Sequence, residues 1–257
     1  MLRSFVIAWH FLTIVPLIDS HHNPAPGELA QSMRWFPLVG VILGGLLAVT
    51  DFMFSRVFPD GVTNLLLIAL LVVVTGGLHL DGLADSLDGL AGGRTPAERL
   101  AIMRDPCIGA IGATGLFLVL GLRYTGLLAL PPSERVAWLV CMPVVGRWAM
   151  VVGAMSAPYA RTEGGLAQPF LQQLSARAVI VSTLLAGGVL LWGIGPWKAL
   201  SVCALFALVA RAVTVLARRL LGGITGDTLG ATNEIAEVCF LIIAPFLAGT
   251  EPALLSP

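Results

Sequence analysis

The sequence predicts an all-α protein: a polytopic integral membrane helical bundle of about seven spans, preceded by an N-terminal interfacial or re-entrant segment. Three observations carry this. Apolar residues make up 57% of the 257 positions and charged residues 12%, roughly half the charged share of a soluble domain. The mean hydropathy is +0.90. Apolar runs close to the roughly 20 residues that cross a bilayer recur along the chain. One bundle therefore uses the whole length, 1–257, as a single membrane domain.

The first apolar segment, 4–18, is short and carries His10 and Pro16. No small-residue cleavage site follows it, so it reads as retained rather than as a signal peptide. A polar loop with His21, His22, Pro24 and Pro26 comes next. Spans are expected at about 36–54, 61–80, 109–130, 136–155, 178–195, 199–216 and 235–250. Gly40, Gly44, Gly45, Gly112 and Gly115 fall in these runs, where small residues let helix backbones approach in lipid.

If segment 4–18 does not cross, one set of loops holds Arg3, Arg34, Arg94, Arg99, Arg104, Arg161, Arg177, Arg218 and Arg219. The opposite set holds Arg56, Arg135 and Lys198, so the bias is nine to three. By the positive-inside rule this places 81–108, 156–177 and 217–234 in the cytoplasm, with the N-terminus inside. The formal net charge of zero gives no basic face for nucleic acid. The four cysteines, at 107, 141, 203 and 239, are scattered, which indicates neither a zinc site nor a disulfide framework. There is no internal repeat.

Chemistry concentrates in three stretches. In the first, Thr75 to Arg94, Asp81, Asp85 and Asp88 fall within eight residues. Offsets of 0, 4 and 7 put them on one narrow face of a helix. Three carboxylates so close repel, and the all-oxygen set suits Mg²⁺ shared with substrate phosphates. The bland alternative is a solvated helix start with aspartate caps. His79 points about 160° away from the acids by helical offset and reads as structural or interfacial.

The second stretch, Arg94 to Gly112, opens on Thr95-Pro-Ala-Glu98, a capping box with proline at the first helical position. Arg94, Arg99 and Arg104 are forked phosphate donors, although Arg99 serves equally as a positive-inside anchor. Asp105 is a further metal-ligand candidate. Cys107 has no neighbour in sequence that would activate its thiol.

The third, Gly222 to Glu237, holds Asp227 and Glu234 seven apart, on one face if helical, with Glu237 to one side. Its glycines, Gly226 among them, allow close backbone approach to phosphate. The Gly-Lys-Ser/Thr ending of a P-loop is absent. Arg147 lies within an apolar span, so it needs a carboxylate or phosphate partner. Arg123 and Arg211 pose the same question. Acids for a metal, arginines for phosphate and glycines for backbone approach, all on one membrane face, suggest phosphoryl or phosphodiester transfer.

The motifs that carry these residues resemble a known family. GGLHLDGLADSLDGLAGG at 76–93, IMRDPCIGAIG at 102–112, GRW at 146–148, PYARTEGGL at 158–166 and GGITGDTLGATNE at 222–234 look like the cobalamin synthases, the adenosylcobinamide-GDP ribazoletransferases of late vitamin B12 assembly. The likeness runs from FLTIVP at 11–16 to the last span. It implies a Mg²⁺-dependent enzyme of the bacterial inner (cytoplasmic) membrane, its active-site loops facing the cytoplasm. That enzyme joins adenosylcobinamide-GDP to α-ribazole or its 5′-phosphate, giving adenosylcobalamin or its phosphate and releasing GMP.

On that likeness Asp81, Asp85 and Asp88 would bind metal and diphosphate, and Asp85 or Asp88 would also serve as base. Asp105, Asp227 and Glu234 would complete the metal or nucleotide site. Arg94, Arg104, Arg147, Arg161, Thr225, Gly226 and Asn233 would meet substrate or phosphate. The implied partners are the two substrates and the lipid bilayer, with room for a homo-oligomer or a complex with other late corrinoid enzymes. Two positions depart from the family pattern: Ile14 stands where an arginine is expected, and Pro106-Cys107 replaces a Ser-Arg pair.

Two other classes compete. Asp85-x-x-Asp88-Gly89 is close to the opening of the CDP-alcohol phosphotransferase motif, but Gly92 stands in place of its arginine and the second half is missing. A transporter could line its path with acids, yet no paired broken helices recur in two halves.

Overall fold

A computed structural model of the chain describes residues 2–17 and 24–249. The His21–His22 loop and the last residue of the expected final span lie outside them. Twelve α-helices are formed among the described residues, and no strand. Six are long and apolar enough to cross a bilayer, and a bent pair adds a seventh.

The N-terminal helix α1 (Leu2–Leu12) has 11 residues. At 1.5 Å per residue it spans about 16 Å, too little to cross. It packs on α2 (Pro26–Ser32) and the first long helix, α3 (Phe36–Phe54). After α1 the chain bends at Ile14, whose amide donates to the Val74 carbonyl at 2.9 Å. The expected non-crossing segment is thus a helix laid against one end of the bundle.

Helix α4 (Asp60–Thr75) stops five residues before the expected end of its span. The cause is Gly76-Gly77, with φ of +62° and +69°, a left-handed pair that glycine adopts without steric cost. Helix α5 (Leu78–Gly92) leaves that break at 88° to α4. It crosses the N-terminal ends of α7 (Ala110–Leu128) and α12 (Gly226–Ala248), with Gly112 against Ala84 and Gly82 against Asp227. The acid-bearing helix therefore packs on the first turns of α7 and α12, at one end of the bundle, instead of continuing α4. The short α6 (Pro96–Ile102) follows it, started by the expected capping box. The Glu98 amide donates to Thr95 Oγ1 at 3.2 Å, and Glu98 Oε2 accepts from the Thr95 amide at 3.3 Å.

Helix α8 (Arg135–Ala154) is the axis of the bundle. Of its apolar window 78% is buried, against 22% for α7 and 28% for each of two later spans, whose outer faces are left for lipid. Those two are α10 (Ala176–Ile194) and α11 (Pro196–Leu221), reached through a loop holding the short α9 (Gln168–Gln172). Helix α11 runs five residues beyond its expected end, and α12 starts nine residues before its own. Apolarity alone misses the polar turns by which both helices extend past the hydrophobic run.

Helices α3 and α8 meet through the glycines. A Cβ on Gly44 would sit 2.6 Å from the Val140 backbone, and one on Gly40 would sit 2.7 Å from the Pro143 carbonyl. Gly45 faces open space. Gly44→Val should therefore cost about 1–3 kcal/mol by forcing the backbones apart, whereas Gly45→Val should cost little. Thermal unfolding of the two variants in one detergent checks this.

Candidate active site

The break after α4 and the crossing of α5 open a cavity of about 810 Å³ at this end of the bundle. Asp81 and Asp85 line it from α5, and Arg104 and Asp105 face them from the turn between α6 and α7. His10, Phe11, Thr13 and Ile14 close the side nearest α1. Asp81 is exposed and Asp85 half-buried.

Asp88, on the same helical face, is used differently. Its carboxylate accepts the Gly109 amide at 2.7 Å and the Gly112 amide at 2.8 Å, capping the first turn of α7 from outside and complementing its dipole. Asp88→Ala should accordingly lower unfolding stability by about 1 kcal/mol. Asp85→Ala should not, because its carboxylate accepts no comparable backbone bond. Parallel melts of the two variants make the distinction.

Behind the acids, two loops are stitched together. Residues 158–160 pair with Ile224: its amide donates to the Pro158 carbonyl and the Ala160 amide donates to the Ile224 carbonyl, both at 2.9 Å. Gly223 makes this possible, since a Cβ there would lie 2.4 Å from the Pro158 carbonyl. The pairing brings Arg161 to Asp227, with Nη2 donating to Oδ2 at 2.7 Å. Asp227 sits in the first turn of α12 beside its N-cap Thr225, whose hydroxyl accepts the Thr228 amide at 3.2 Å and donates to Asp227 at 3.3 Å. Gly226 packs under Ala167.

Electrostatics mark Asp85. Burial, then the nearby carboxylates of Asp81 and Asp227, push its carboxyl up to about 6, and Arg161 opposes them. Arg104 is held by Glu163 in an exposed pair, of the kind that contributes little and yields readily to a stronger partner. Fixed negative charge at the cavity thus exceeds fixed positive charge, a demand that a divalent cation meets. Among the described residues no three His, Cys, Asp or Glu side chains already close on one point. Two carboxylates open to a cavity still suit Mg²⁺, which keeps waters and takes further oxygens from phosphates.

The cobalamin-5-phosphate synthase family matches residues 4–245. The chain belongs to that family. It is similar to an adenosylcobinamide-GDP ribazoletransferase of Syntrophobacter fumaroxidans, 41% identical over 95% of this chain and 98% of the relative. A protein of the same name from Geotalea daltonii is 39% identical over 97% and 99%, and one from Pseudomonas syringae 39% over 95% and 99%. No solved structure matches.

Within this synthase-family chain, Asp81, Asp85, Arg104 and Asp105 meet at the cavity, and Arg161, Asp227 and Thr225 stand behind it. Arg94 does not reach it; its amide donates to Glu98 Oε2 at 2.8 Å, and the residue is exposed. Arg99 donates from Nε to the Gly93 carbonyl at 2.9 Å, tying α6 to the end of α5. Arg147, Asn233 and Glu234 are also kept away. Glu234 and Glu237 accept from Arg123 Nη2 at 2.8 and 2.7 Å, and Arg147 Nη1 donates to Glu237. Asn233 Nδ2 donates to Glu234 at 3.2 Å. All five residues are buried, and they pair with one another. His79 is buried beneath Gly230, consistent with a structural part. Sequence reasoning missed the contribution of α1 to the cavity wall; the FLTIVP motif was its only signal.

Proposed function

We propose that the cavity beside α5 is where this chain joins adenosylcobinamide-GDP to α-ribazole or its 5′-phosphate, with Mg²⁺ held by Asp81 and Asp85. The chain is a ribazole-transferring enzyme of cobalamin synthesis; the observation that carries the location is the convergence of Asp81, Asp85, Arg104 and Asp105 on one cavity. The basic loops, nine charges against three, favour an inner-membrane protein with this end in the cytoplasm.

The reaction moves one phosphorus centre. A ribose hydroxyl of the acceptor attacks the phosphate attached to cobinamide, a new P–O bond forms, the bond to the GMP phosphate breaks, and GMP leaves. The hydroxyl proton passes to a carboxylate of this face. When bound, Mg²⁺ neutralises diphosphate charge and stabilises the leaving phosphate. Arg104 turns from Glu163 to the diphosphate, as a forked donor suited to phosphate oxygens. Arg161 fixes Asp227 and, through the paired loops, the wall behind the acids. Most of the rate enhancement then comes from positioning and charge placement.

The test is turnover by purified protein in nanodiscs with adenosylcobinamide-GDP, α-ribazole and Mg²⁺, scored as GMP together with a new corrinoid. Equal amounts of both products are expected, and none with EDTA. GMP without a joined corrinoid, or turnover that ignores EDTA, would sink this reading.

A further inference from the structure

A second cavity, about 860 Å³, adjoins the first, and the two share His10, Phe11 and Leu78 as a common wall. Its remaining lining is almost wholly apolar: Val6, Ile7, Leu29, Leu166, Pro169 and Phe170. The Phe11 ring is held in place between Phe170 and Phe36, at centroid distances of 4.3 and 5.9 Å. The one charged residue of the lining, Arg3, is paired with Glu28 at 3.3 Å. A neutral, flat, apolar group fits this chemistry, and an anion does not.

The geometry points to this lobe as the subsite for the aromatic base of the acceptor, with the acceptor's ribose reaching past His10 into the acid cavity. The inference rests on the transfer reaction proposed above. That reaction requires the acceptor hydroxyl to arrive at the acids while the rest of the acceptor lies close by, and the apolar lobe is the adjoining space. The benzimidazole base of α-ribazole, once joined to ribose, has a single ring nitrogen as acceptor and no N–H donor. A guanine would bring several donors and acceptors that this lining leaves unpaired, at a desolvation cost. His10, on the shared wall, is held by the Leu17 amide, which donates to its Nε2 at 3.2 Å.

Apart from Leu78, at the start of the acid-bearing helix, the lobe is built from α1, Pro24, Leu29 of α2 and residues 165–170, none of which carries the acids. Acceptor binding and phosphate chemistry can therefore be perturbed separately. Leu166 is 88% exposed, so added bulk there does not disturb the core; Ile7 is half-buried at the lobe wall.

Leu166→Trp and Ile7→Trp fill the lobe, and each is assayed in nanodiscs beside the wild type, with equilibrium binding of α-ribazole measured on the same samples. The KM and Kd for α-ribazole should rise roughly tenfold or more. The KM for adenosylcobinamide-GDP and the kcat at saturating acceptor should stay within about twofold. Unchanged acceptor binding in both variants would overturn the inference and leave the lobe to a lipid chain. An equal rise in both KM values would overturn it too. Wild-type protein that binds α-ribazole but turns nothing over would count against the transfer reaction alone, because the binding arm still reports on the lobe.

Discussion

Asp85→Asn is expected to lower turnover by about 10²–10³-fold while the variant melts no lower than the wild type. The substitution keeps the shape of the side chain and removes a charge that its surroundings disfavour. Burial and the carboxylates of Asp81 and Asp227 already hold the Asp85 carboxyl up to about 6. Removing the charge relieves that repulsion, so stability is kept or slightly gained. A site whose groups are individually unfavourable in the resting protein is the signature of residues placed for chemistry rather than for folding. Steady-state turnover and a thermal melt on one preparation give both numbers. A variant that unfolds early, or one that keeps wild-type turnover, would break the link between this carboxylate and the reaction.

The second large effect is expected within the bundle. Glu237→Gln should destabilise the protein by about 3–5 kcal/mol. Glu237 is fully buried and receives both Arg123, from α7, and Arg147, from α8. Two arginines and two glutamates form a charge-balanced group that ties three helices together. Neutralising one glutamate leaves a buried guanidinium without its counter-charge, and that residual charge dominates the cost. Adding Arg147→Gln restores the balance, so the double variant should cost less than the sum of its parts. Unfolding in detergent, run as a full double-mutant cycle, measures the coupling. Additive costs would show that the group does not act as a unit.

These two cases show which features a sequence discloses. The Asp81/Asp85/Asp88 face was legible because a helical period of 3.6 fixes which side chains share a side. What each acid does there was not. Asp88 differs from Asp85 only through the amides of Gly109 and Gly112, and that contact spans more than twenty residues of chain. The long apolar helices were legible from hydropathy, but the 88° turn at Gly76-Gly77 was not. Two glycines after an apolar run read equally well as a flexible end of the span. Arg147 was expected to need a carboxylate or phosphate partner, as an ion in a span does, and only the family likeness put it at the phosphate and Glu234 at the metal or nucleotide. The structure supplies that partner from within, since Glu237 lies one turn from Glu234 on α12 and Arg123 faces both. The pairing of Pro158 and Ala160 with Ile224, which delivers Arg161 to Asp227, joins loops some sixty residues apart and leaves no local pattern.

The central claim is that Asp81 and Asp85 hold the divalent ion at the transfer site. Its most direct test is Mn²⁺ titration followed by electron paramagnetic resonance, with nanodisc protein and adenosylcobinamide-GDP present. The account predicts one strongly bound Mn²⁺ in the wild type, competed away by Mg²⁺ and lost in Asp81→Asn/Asp85→Asn. A full complement of bound Mn²⁺ in that double variant would contradict it.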